Sequence, residues 1–273
     1  MTTSLKRWTQ LGLGVALAGS ALVACGSPNA ATGDADHELT AETPPVIDSA
    51  DGEGEGEGGV AIAQAATDPV VFLSALAITE AHIIAARDAH ALGENEAAAE
   101  MFAHPVSEVL LDMQPVFQQL GVSDFSDLLT DTSAAIFAGE TPEQINARAD
   151  AIIAALRGAA QQAPATDASE TSVAAGVAVD QIERAADMYR IALESDAYEP
   201  YLDGYGFYKA GEAVFLASAE AISQEDQSVA SAIKDAIAKL EDAYPTAGRP
   251  DALNADLAAL TVAASNAVLA VQN

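Results

Sequence analysis

The chain has 273 residues, of which 41 are acidic and 11 basic, giving a formal net charge of −30. A surface this negative repels nucleic acid and anionic lipid, which excludes a nucleic-acid partner and any membrane attachment through basic patches. The single cysteine, Cys25, excludes an intramolecular disulfide and a thiolate metal cluster.

Lys6 and Arg7 precede an apolar run from Leu11 to Val23, too short to span a bilayer comfortably, which ends in Leu22-Val23-Ala24-Cys25. A basic start, a short apolar run and small residues before a cysteine resemble the lipobox of bacterial lipoprotein precursors. The resemblance implies that residues 1–24 are a signal peptide and that Cys25 carries diacylglycerol as the mature N-terminus. It also implies a protein held to the membrane by lipid in the cell envelope. No aspartate follows Cys25, so the expected location is the periplasmic face of the outer membrane where the host has one.

Residues 25–59 hold Gly, Pro, Ser, Asp and Glu with few large apolar side chains, and they end in the alternating Gly-Glu run 51–59. Self-repelling charge on a Gly-rich backbone predicts a disordered tether.

Residues 60–273 are rich in Ala, Leu, Ile and Val and punctuated by helix signals, which predicts an all-α helical bundle. Thr67-Asp68-Pro69 supplies an N-cap and a first-turn proline, and Gly93 a C-terminal stop. Between them Phe72, Leu76, Thr79, Ile83, Ala86 and His90 recur at steps of three and four, the stripe of a core-facing helix. Asn95 opens a second helix that Pro105 should kink or restart, since proline removes an internal donor. Further helices are expected over 123–137, 142–161, 171–198, 203–222, 227–243 and 250–271. The length fits two tandem four-helix blocks, 60–165 and 166–273, joined by the Ala-Pro-Thr-Asp stretch near residues 163–168.

Among the four histidines, His37 lies in the tether and His82, His90 and His104 lie in the first block. If the first two helices form an antiparallel hairpin turning near Gly93, residues whose numbers sum to about 187 share a level. That places His82 beside His104, with Glu108 one turn further on the face of His104. Two imidazoles and a carboxylate on facing helices are a donor set for a divalent transition metal, and Asp127, Asp131 or Asp150 could add an oxygen. If the two blocks are a tandem duplication with a period of about 100 residues, the matching positions Ile182, Gly204 and Tyr208 cannot repeat the set, so one site per chain is expected. His90, near a helix end, reads as a favourable C-terminal charge. The aromatics Tyr198, Tyr201, Tyr205, Phe207 and Tyr208 read as helix packing, with a tyrosine-lined pocket as the alternative.

An Ala-rich, anchored helical chain with a histidine–carboxylate pair resembles the imelysin-type periplasmic proteins linked to iron uptake. That family carries His-x-x-Glu, whereas this chain has His104-Pro-Val-Ser-Glu108, so the resemblance implies helical architecture and transfers no ligand residue. No nucleophile elbow, His-Glu-x-x-His or phosphate-cradling loop is present. The sequence therefore points to a non-enzymatic, lipid-anchored protein that binds a metal ion or a metal-containing small molecule. The alternatives are a helical module that docks a partner protein without metal, and an envelope hydrolase built on His104 and Glu108.

Overall fold

The computed structural model describes residues 59–273. The expected signal peptide, Cys25, His37 and nearly all of the expected tether lie outside the described residues. In chain order the helices are α1 (Ile62–Ala65), α2 (Pro69–Ala91), α3 (Asn95–Pro105), a π-helical turn (Val106–Leu110), α4 (Leu111–Leu120), α5 (Ser126–Phe137), α6 (Pro142–Ala160), α7 (Glu170–Glu194), α8 (Glu199–Glu225), α9 (Gln227–Ala243) and α10 (Leu257–Val271). The described residues contain no β-strand element, and the architecture is an all-α helical bundle.

The start of α2 follows from its sequence. The Asp68 carboxylate accepts from the Val70 amide at 2.8 Å, satisfying a donor that has no partner inside the helix, while Pro69 occupies the first turn. At the other end Gly93 takes φ +85°, and the Glu94 amide returns to the Ala89 carbonyl at 3.0 Å. This left-handed residue closes the helix and reverses the chain into α3.

The core-facing stripe on α2 is wider than the sequence pattern suggests. Phe72, Leu76, Thr79, Ile83 and Ala86 are buried as expected, but so are Ile78, Ala81, His82 and Ala85 on the other faces. The reason is central placement, since α2 packs against α3, α6, α7 and α8. Although α2 is long and apolar enough to cross a membrane, 78% of its apolar window is buried inside the bundle, as in the core helix of a globular protein. His90, expected at the end of the stripe, is half-buried and pairs its Nδ1 with the Asn95 side-chain oxygen at 2.8 Å.

Residues of both expected blocks share one hydrophobic core, which runs from Val60 to Ala267. Several helix limits differ from expectation for local reasons. The helix expected over 123–137 starts at Ser126, after the Asp124 carboxylate has accepted from the Ser126 amide. The helix expected over 203–222 is longer at both ends, because Pro200 fits its first turn and Asp226 caps the helix that follows. The last helix begins at Leu257 rather than 250, where the Asp256 carboxylate accepts from the Ala259 amide.

The aromatic cluster is packing with satisfied hydroxyls. Tyr201 donates to the Thr246 carbonyl at 2.8 Å, Tyr198 to the Ala247 carbonyl at 2.9 Å, and Tyr205 to the Asp88 carboxylate at 2.7 Å. These bonds fasten α8 to the α9–α10 connection and to α2, and they let large amphipathic rings lie inside the bundle without stranding a polar atom.

Candidate metal centre

Three features of the backbone bring the candidate residues together. The Gly93 turn folds α3 back along α2, which sets the His82 and His104 ring centroids 6.3 Å apart. Pro105 does not end the helix. It keeps right-handed helical geometry, φ −60°, and the chain passes through the π turn into α4 without a break. The lost proline donor is absorbed by this locally widened turn, and His104 stays on the face toward α2. Finally, α8 approaches α2 so closely that a Cβ on Gly206 would collide with the Ala81 carbonyl oxygen. This close approach carries the N-terminal part of α8 over His82.

His82 is 4% exposed, and its Nδ1 lies 2.8 Å from the Ile78 carbonyl. A carbonyl oxygen can only accept, so Nδ1 carries the proton and Nε2 is the atom turned toward the acids. Metal-binding histidines are oriented in this way, with the ring nitrogen opposite the ligating one donating to the backbone. Nε2 stands 3.6 Å from Glu108 Oε2 and 3.6 Å from Asp203 Oδ1. His104 Nδ1 stands 3.7 Å from Glu108 Oε1 and 3.8 Å from Glu199 Oε1. The Phe207 ring meets the His82 ring edge-on at 5.8 Å and walls off its inner side.

One ligand atom each from His82, His104 and Glu108 lie within 4.8 Å of one another. Donors about 2.1 Å from a tetrahedral ion stand about 3.4 Å apart, so small side-chain rotations close this set around one ion. The site is graded in exposure. The His104 and Glu108 side chains are 24% and 28% exposed while His82 is covered, which gives an ion a route from solvent over α3 and the π turn.

The electrostatics fit a cation. Burial disfavours the charged form of His82, but the Glu108 and Asp203 carboxylates and the Ile78 carbonyl outweigh it and hold its pKa above the usual histidine value. His82 in turn holds the Glu108 carboxyl below the ordinary carboxylate range. Burial pushes Asp203 up to about 6 against the pull of His82.

Sequence reasoning brought His82, His104 and Glu108 together but looked for a further oxygen in the wrong place. Asp127, Asp131 and Asp150 are all exposed on α5 and α6, and the acid facing His82 is Asp203 of α8. The sequence signal for it was an acid beside Gly204 and three residues before Gly206 in an aromatic stretch, the mark of a helix pressed close to a neighbour.

No protein-family model, no curated protein and no solved structure matches the chain. Its class rests on its own geometry: a helical-bundle protein with a histidine–carboxylate cluster between a central helix and the hairpin partner of that helix.

Proposed function

We propose that the protein is a lipid-anchored helical protein of the cell envelope that binds one divalent transition-metal ion through His82, His104 and Glu108. The observation that carries this reading is the convergence of three donor atoms within 4.8 Å, one of them on a buried imidazole whose other nitrogen is already fixed by the backbone. Two imidazoles and a carboxylate are borderline-to-hard donors, which suit zinc, iron(II), cobalt or manganese better than soft copper(I). The metal replaces the His82 proton, and the acidic surface concentrates cations near the route to the site. The lipobox at Leu22–Cys25 supports attachment of the bundle to a membrane through lipid.

The test is metal analysis of the full chain purified without a histidine tag and equilibrated with zinc or cobalt. One equivalent per chain is expected, lost in a His82→Ala, His104→Ala double variant. Unchanged metal content in that variant sinks the reading.

A further inference from the structure

The Oδ1 atom of Asp203 is buried, and among the described residues it has no hydrogen-bond partner. This is unusual, because a buried carboxylate oxygen left without a donor forfeits its hydration for nothing. The other polar side chains on this stretch of α8 are provided for, as Tyr201 and Tyr205 show with their bonds of 2.8 and 2.7 Å. The Asp203 oxygen instead faces His82 Nε2 at 3.6 Å, beyond hydrogen-bond range, and Glu108 Oε2 faces the same nitrogen at the same distance. Each oxygen stands 3.6 Å from that nitrogen, close to the edge length of about 3.4 Å in a tetrahedral ion site rather than the shorter spacing of a hydrogen bond. Asp203 lies outside the three donors that stand within 4.8 Å of one another, so its side chain must turn toward the ion to complete the shell.

We propose that Asp203 is the fourth ligand of the ion held by His82, His104 and Glu108, so that the metal fastens α8 to the α2–α3 hairpin. This rests on the metal-binding reading above and deepens it, because it defines the coordination shell and gives the ion a mechanical role. Charge balance argues in the same direction. A divalent ion with two neutral imidazoles and Glu108 alone leaves one uncompensated positive charge beside buried Phe207, whereas adding Asp203 brings the site to neutrality. The ion also supplies the partner that Oδ1 lacks. Glu199 is left outside the shell: its side chain is 57% exposed, and it faces His104, at 3.8 Å, from the first turn of α8.

The resulting shell of two nitrogens and two oxygens comes from three separate elements, α2, the α3–π segment and α8. Binding an ion therefore couples helices far apart in the chain, and an ion-free protein holds this end of α8 less tightly.

The experiment is cobalt(II) titration of the full chain, following both affinity and the visible absorption that distinguishes four-coordinate from six-coordinate cobalt. Wild type is expected to bind one equivalent with four-coordinate bands. Asp203→Ala and the isosteric Asp203→Asn are expected to lose roughly 10–100-fold or more in affinity with changed bands, while Glu199→Gln keeps both. Helical circular dichroism of the ion-free variants checks that the fold is retained, and the asparagine variant guards against a folding defect in the alanine one. If both Asp203 variants bind as wild type does while His82→Ala does not, the fourth-ligand assignment is overturned and the three-residue site stands. If wild type takes up no cobalt, or His82→Ala binds equally well, both are overturned.

Discussion

Gly206 of α8 lies against the carbonyl oxygen of Ala81 in α2, one residue before His82, and this contact sets the distance between Asp203 and the imidazole. Gly206 and Asp203 are three residues apart and share a helix face, so moving one moves the other. Gly206→Ala would gain up to about 1 kcal/mol of helix propensity. The new methyl group meets backbone rather than a flexible side chain, and overpacking of this kind costs about 1–3 kcal/mol. The expected net result is a lower melting temperature and weaker metal binding. Gly158→Ala in α6 is the control: a Cβ there meets nothing within 4 Å, so that variant should be neutral or slightly stabilised. Equal behaviour of the two variants in thermal melts would contradict the packing argument.

Metal should stabilise the fold by mass action. An ion at one hundred times its dissociation constant adds about 2.7 kcal/mol if it binds only the native state. Zinc or cobalt is expected to raise the melting temperature of the full chain, a chelator to reverse the rise, and His82→Ala to abolish it. Magnesium, which prefers an octahedral oxygen shell with several waters, should have little effect.

The all-α architecture was legible because capping residues and Gly stops punctuate an alanine-rich chain, and Asp68-Pro69 and Gly93 act as expected. The His82–His104 pairing was legible because a short hairpin converts sequence separation directly into height along the helices. Asp203 was not, since its position depends on how α8 crosses α2, and no local periodicity encodes the crossing of two helices so far apart in the chain. The fate of Pro105 was equally illegible. Local sterics allow a kink, a restart or a π turn, and packing of Val109 and Leu110 into the core accompanies the last of these.

The proposed lipid anchor makes a separate prediction. If Cys25 is acylated and becomes the mature N-terminus, the intact mass should correspond to loss of residues 1–24 plus lipid, and Cys25→Ala should release the protein from the membrane fraction. A chain that begins at Met1, or a Cys25→Ala form that still incorporates labelled fatty acid, would refute it. Metal binding by the bundle should be the same in either case, because no residue of the site belongs to that segment.

Metal affinity should fall in acid. The His82 pKa is raised by Glu108 and Asp203, which outweigh burial, so an ion must displace its proton below and around neutral pH. Affinity is expected to drop about tenfold per pH unit for each proton displaced once the pH lies below the His82 pKa. Titrations at pH 5.5, 6.5 and 7.5 in a non-coordinating buffer measure this, and a pH-independent constant would exclude His82 as a ligand.

The ion-free protein should show the opposite trend in stability over part of this range. Asp203 has a folded-state pKa of about 6 against 3.8 unfolded, so between these values the native state holds a proton that the unfolded chain has released. The native state then binds more protons, and stability falls as pH rises from 3.8 through 6, by an amount on the order of 2–3 kcal/mol. The raised His82 pKa extends the fall above 6.5, because its contribution is fully present below 6.5 and is lost as the imidazolium deprotonates. Glu108, with a lowered pKa, acts the other way: its contribution is present above 4.5 and is lost as pH falls through its folded-state value. Asp203→Asn removes the first component and, by taking away one of the charges that raise the His82 pKa, also shrinks the second, so its denaturation midpoint should vary less between pH 4 and 6 than that of wild type. Urea denaturation of chelator-treated protein across that interval measures the difference, and parallel curves for the two proteins would show that Asp203 does not titrate there.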